Sequence, residues 1–354
     1  MKRSIILAAA IGMAGIGATL TGCPGGDTGG GADAGGSGEV TKDQLHGNFT
    51  AYAVNKLVLP QDNKQFAIDL NGDGKVDNQM GNIIGTLATQ NLDAQSGVDA
   101  SLAEGGVVVL LSLQTMDATL KKDDAVGLTF YLGKTFNSMP RKNDAGMAIP
   151  DGGCDGCPDF SGMGMFTVDM GQSAVLLLGK LDGGKFKSNN PVGTKNPVDV
   201  TLKIALIQGA APIPLTLHGA QAEFTSGTDM ASGKPGLIDG RLRGSIKKSD
   251  IDNTVIPAVA SLLTMRIQAD PNSASSKQIA SIFDTGGCGA AKMGDGKIDT
   301  CEVATNSIIM AVLAPDVQIY DDAGNYAPNA KNTKKDSLSI AVAWGAVQAM
   351  FQRP

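Results

Sequence analysis

Histidine is nearly missing from this chain: two residues in 354, His46 and His218. GxSxG, HExxH and phosphate-binding glycine loops are missing altogether, so the common hydrolase, metalloprotease and nucleotide-binding signatures have no place here. Aromatic residues make up 4% of the chain, with one tryptophan and four tyrosines, which supplies a sugar-stacking cleft poorly. No basic stretch interleaved with aromatics points to nucleic acid. The net charge of −6 comes without acidic runs, as on an ordinary solvated surface. Past the amino terminus, no apolar run reaches the ~18 residues of a spanning helix.

What is there is a globular composition, 42% hydrophobic and 18% charged, with 47 glycines. That mix suits strands and tight turns better than long helices.

The first 22 residues have the parts of an export signal: Lys2 and Arg3, then an apolar stretch from Ile5 to Leu20 too short to span a membrane. It ends in "LTGC", residues 20–23, which resembles the lipobox of bacterial lipoproteins. The resemblance implies cleavage before Cys23 and acylation of that residue, which anchors a protein without a spanning helix. The expected address is the cell envelope, at the outer membrane on its periplasmic or surface face. Residues 23–45 contain "PGGDTGGGADAGGSG" and read as a glycine-rich tether. His46 lies at its end. A single β-rich domain is expected over 46–354.

Four further cysteines, Cys154, Cys157, Cys288 and Cys301, remain in an exported chain. Local disulfides, Cys154–Cys157 and Cys288–Cys301, are the first reading. A redox CxxC at 154–157 and a four-cysteine zinc site are alternatives. Met163, Met165 and Met170 offer a soft-metal cluster or, more commonly, core packing.

Strand patterns recur from residue 47 to 247 and again from 337, interrupted by helical spacing at 79–103 and at about 249–314. In "PIPLTLHG" Ile213, Leu215 and Leu217 share one face, which leaves His218 outward as a surface residue. "DVQIY" at 316–320 reads as a strand, and Gly345 marks a slip in the alternation of the last one. The expected fold is mainly β (α+β): an antiparallel sandwich or barrel with a segregated helical insertion.

The sharpest motif is "DLNGDGKVDNQM", residues 69–80. It resembles the calcium loops of EF-hands, dockerins and thrombospondin type 3 repeats. The resemblance places oxygen ligands at Asp69, Asn71, Asp73 and Asp77, and uses the backbone carbonyl of Lys75. Where the template closes with a bidentate glutamate, this loop has Met80. "GDGKVD" recurs as "GDGKID" at 294–299. There Asp295, Lys297, Asp299 and Glu302 fall on positions 5, 7, 9 and 12. The helix-like "SSKQIASIF" ends at Asp284, so an expanded loop opens at Asp284, carries seven extra residues and is closed by Cys288–Cys301. Two unrelated copies of a common turn are the plain reading of this recurrence, with pairing of the loops through Val76 and Ile298 as the alternative; for the first loop an aspartate-rich turn without metal is the other reading. Departures from the template imply weak binding, with Kd about 10⁻⁴–10⁻³ M.

Lipobox, tether, β-rich body and GDG loops together resemble uncharacterised Gram-negative lipoproteins. The implied role is a non-catalytic, calcium-stabilised binding or structural one. The alternative is a secreted carbohydrate-active hydrolase using a carboxylate pair, whose members have no fixed spacing in sequence.

Overall fold

Apolar and polar residues alternate along most of the chain after residue 47, and the backbone follows. The computed structural model describes residues 39–353 except 90–92, 137–156, 172, 191–196, 205–211, 287, 290–292 and 332. Among these, ten strands form: β1 (Asn48–Val58), β2 (Val109–Thr115), β3 (Lys122–Thr135), β4 (Phe166–Val168), β5 (Val175–Asp182), β6 (Lys185–Ser188), β7 (Val200–Ile204), β8 (Ile213–Thr228), β9 (Pro235–Lys247) and β10 (Ser337–Gln348). Eight of them close an antiparallel barrel in the order β1, β10, β9, β8, β6, β5, β3, β2, with β2 pairing back to β1. Closure leaves these eight without a free edge. β4 and β7 pair outside the ring, on β3 and β8. Of the two architectures expected, the barrel is the one formed.

Leu338, Ile340, Val342 and Trp344 of β10 line the buried interior. Trp344 pairs with Gly240 and Ala346 with Leu237, so the ladder slips at Gly345, where the alternation breaks. A Cβ on Gly240 would stand 2.4 Å from the Trp344 ring, so glycine is what admits the indole. Trp344 meets Phe130 and Phe224 edge-on, at 6.4 and 6.1 Å, and Phe224 stacks on Phe186. Fully burying each such side chain is worth about 1.5–3 kcal/mol.

Helices α1 (Gln79–Thr89) and α2 (Ala94–Ala103) lie between β1 and β2. Helices α3 (Lys248–Asp250), α4 (Ile256–Ala269), α5 (Ala274–Phe283), α6 (Thr300–Thr305) and α7 (Ser307–Val312) lie between β9 and β10. Because β1 and β10 run antiparallel, the end of β1 and the start of β10 share one mouth of the barrel. Both helical segments therefore emerge there, and short turns join the strands at the other mouth. A π turn, Ile251–Val255, leads into α4, with the amide of Ile256 bonding back to the Ile251 carbonyl. The widened turn directly precedes Pro257, which has no amide to give.

Four expectations need correction. The folded body begins at Glu39: Val40 is buried, and the Asn189 side chain takes both its amide and its carbonyl, at 3.2 and 2.8 Å. Residues 39–45 thus belong to the body. Residues 316–320 form isolated bridges and no strand, because the Asp336 carboxylate accepts the amides of Ile319 and Tyr320 that a ladder would use. Met163, Met165 and Met170 are exposed, since β4 is short and they flank it. His218 is buried, as described below. Cys23 and Cys154 lie outside the described residues, and with them the lipidation site and the expected Cys154–Cys157 pair.

Candidate metal loops

Two loops of different length fold the same way. In loop 1, Asp69 Oδ1 accepts the amide of Gly72 at 2.6 Å, and Oδ2 accepts that of Gly74 at 2.8 Å. In loop 2, Asp284 Oδ1 accepts the amide of Gly294 at 2.6 Å, and Oδ2 accepts that of Gly296 at 2.8 Å. Asp73 Oδ1 accepts the amide of Lys75 at 2.9 Å, as Asp295 Oδ1 accepts that of Lys297. All four glycines have positive φ: +81° and +83° in loop 1, +74° and +75° in loop 2. The left-handed backbone turns the amides inward, and glycine adopts it without a side-chain clash. Asp284 therefore occupies the place of Asp69. Cys288, within the extra stretch, is tied to Cys301 of α6 by a disulfide with 5.9 Å between Cα atoms.

The surroundings differ. Loop 2 runs from the end of α5 to the start of α6, a helix–loop–helix unit. Glu302 is buried in the first turn of α6. Its Oε2 accepts the amide of Asp299 at 2.9 Å, and its Oε1 accepts that of Gly286 at 2.6 Å. The last position of the template is thus turned across the loop, tying its start to its end. Asp295, Lys297 and Asp299 are exposed.

Loop 1 is entered by a turn and left by α1. The buried Arg243 forks onto Glu223, at 2.7 and 3.0 Å, and gives its Nε–H to the carbonyl of Phe66 at 2.8 Å. Phe66 itself has φ 60°, so a buried guanidinium holds the strained entry to the loop. At the exit, Asn78 clips onto Ala341 of β10: its Nδ2 donates to the Ala341 carbonyl and its Oδ1 accepts the Ala341 amide. The amide of Gln79 donates to Ser339 Oγ, whose own hydroxyl goes to Asp316. Asn71 is buried, with Oδ1 on the amide of Asp73.

Asp77 receives the amide of Leu70 at 3.0 Å. Burial pushes its carboxyl up, that amide opposes the rise, and the charges of Asp316, Asp73 and Asp69 add to it, leaving a pKa of about 6. Four carboxylates thus stand within electrostatic reach at loop 1. Among the described residues, no three His, Cys, Asp or Glu side chains already converge as a metal cage; the loop carboxylates are turned to backbone amides instead. The donor set itself is all oxygen, which suits a hard cation such as calcium.

Met80 at the twelfth position is buried in the core, so the closing ligand has given way to packing. Val76 is 55% exposed while Ile298 is buried. Both backbone groups of Ile298 go to Thr264 Oγ1 of α4, at 2.8 and 3.3 Å. The alternative of paired loops therefore does not form, because α4 takes the edge it needed.

Outside the loops, sequence reading missed a clamp on His218. Its Nδ1 lies 2.8 Å from Asp199 Oδ2 and its Nε2 lies 2.9 Å from Asp250 Oδ2. A carboxylate oxygen on each ring nitrogen favours the doubly protonated imidazolium, in which both nitrogens donate. Burial lowers its pKa, but the two carboxylates outweigh this and the net shift is upward. The clamp ties the entry of β7 and helix α3 to β8. In that form His218 has no lone pair for base chemistry. The edge of the Tyr320 ring faces it at 6.2 Å between centroids, and the Lys247 ammonium sits 4.4 Å over Tyr320. The partners lie 19 and 32 residues away, beyond any local pattern.

No family model, no curated protein and no solved structure matches this chain.

Proposed function

We propose that this chain is a lipid-anchored protein of the cell envelope, held by acyl chains on Cys23, whose barrel is stabilised by calcium at two loops and serves a non-catalytic binding or structural role. The observation that carries the calcium reading is the matched pair of carboxylate–amide frames at Asp69 and Asp284, built at equal distances from loops that differ by seven residues. Asp69, Asn71, Asp73, Asp77 and the carbonyl of Lys75 would hold the ion in loop 1. Asp284, Asp295, Asp299, Glu302 and the carbonyl of Lys297 would hold one in loop 2. Bound calcium would supply the charge that the clustered carboxylates lack, and so stabilise the fold by mass action. Loose, incomplete ligand sets fit the weak class of extracellular sites.

The anchor rests on the lipobox alone. A Cys23→Ser variant, fractionated beside the unaltered protein, is expected in the soluble fraction; continued partition with membranes and detergent overturns the anchor. The alternative of a carbohydrate-active hydrolase gains no observation in its favour. Trp344, the residue a sugar would stack on best, is packed against Phe130 and Phe224 inside the barrel.

A further inference from the structure

Helices α1 to α7 leave the barrel at one mouth, and packing there is incomplete. A cavity of about 90 Å³ lies between Ile213, Ile246 and Leu338 of the barrel and Met80, Val259 and Leu313 of the helical layer. Its walls are apolar. The one hydroxyl among them, on Thr86, goes to the carbonyl of Asn82 at 2.7 Å. Ile83, Val255 and Ile309 line it and are only half-buried, so the cavity reaches the surface between α1, the π turn and α7.

These walls decide the occupant. Water needs two to four polar partners and finds none among the described residues here. A ligand group that enters must be hydrocarbon, since any polar atom would lose its hydration without return. The volume is below the roughly 150 Å³ of an engineered cavity that takes benzene. That leaves a ring little clearance, whereas the end of a slender chain fits with a few methylenes. Barrel mouths are common ligand positions, and an opening on one side leaves a headgroup in water.

We propose that this mouth binds the terminal methylenes of a single saturated alkyl or acyl chain, with the headgroup outside. The site stands apart from the calcium reading, although Met80 belongs to both: it ends loop 1 and forms part of the cavity wall.

The test uses the full mature chain with Cys23→Ser, so that no attached acyl chain competes. Straight-chain alkanoates and alkanols of increasing length are titrated calorimetrically below their aggregation concentrations. Affinity should rise about fourfold per methylene over the first few methylenes and then level off. Alkanol and alkanoate of one length should bind alike, because no wall group reads the head. Val259→Phe, which fills the cavity, should weaken binding at least tenfold while the melting temperature holds or rises; Ile309→Phe replaces it if the first variant does not fold. Absent binding, affinity that ignores chain length, full binding by the filled variant, or tighter binding of benzene than of the chain each overturns the proposal.

Discussion

Asp284 accepts the amide of Gly296 at 2.8 Å across twelve residues, as Asp69 accepts that of Gly74 at 2.8 Å across five. The longer loop reaches the same turn although it carries seven more residues, and the Cys288–Cys301 disulfide ties that stretch to α6. Replacing both cysteines by alanine should lower stability by about 3 kcal/mol, the entropy of closing a loop of this size. Denaturant titration with and without calcium checks it. The calcium increment from loop 2 should shrink in the variant while that from loop 1 persists.

Met80 separates the template from the molecule. By the template, Met80→Glu repairs loop 1 and should strengthen calcium binding. By the structure it places a carboxylate in the barrel core beside Ile84 and Leu59, at a cost of several kcal/mol. The expected outcome is a destabilised protein at every calcium concentration, read from melting curves. A variant that is as stable as the original and binds calcium more tightly would show that Met80 can leave the core.

His218 sets a pH dependence. Its folded pKa is raised above the ordinary 6.5, so its clamp contributes fully below about pH 6.5 and is lost as pH rises through the folded pKa. His218→Gln should cost about 1–3 kcal/mol at pH 5.5, the worth of hydrogen bonds to charged groups, and progressively less toward pH 9. Chemical denaturation at both pH values measures the gap. A gap that stays constant or widens at high pH would mean that the ring is not held as imidazolium.

Much of the barrel was legible because its signals are local. Alternation in β8 and β10 gave their faces, and the out-of-phase Val347 marked the slip at Gly345. Asp284 could be placed because an apolar helix pattern ended on it. What escaped depends on distant partners. Met80 reads as a failed ligand until the helix after it packs on the barrel. Ile298 has the sequence position to pair with Val76, but Thr264 of α4 takes its backbone. Residues 316–320 have strand composition, yet Asp336 intercepts their amides. Asp316, which raises the Asp77 carboxyl, follows a helix stop at Pro315 and has no motif around it. Val40 sits among glycine-rich sequence, and Asn189, 149 residues on, ties it to the body.

The most direct measurement is the melting temperature of the purified mature protein across a calcium titration, with Asp69→Ala and Asp284→Ala beside the original. The account predicts a rise with millimolar calcium, reversed by chelator and equivalent to about 2.7 kcal/mol at a hundredfold excess over Kd. Each variant should lose part of the rise, and the double variant should lose all of it. A melting temperature that neither calcium nor chelator moves would contradict the account and make both loops plain turns.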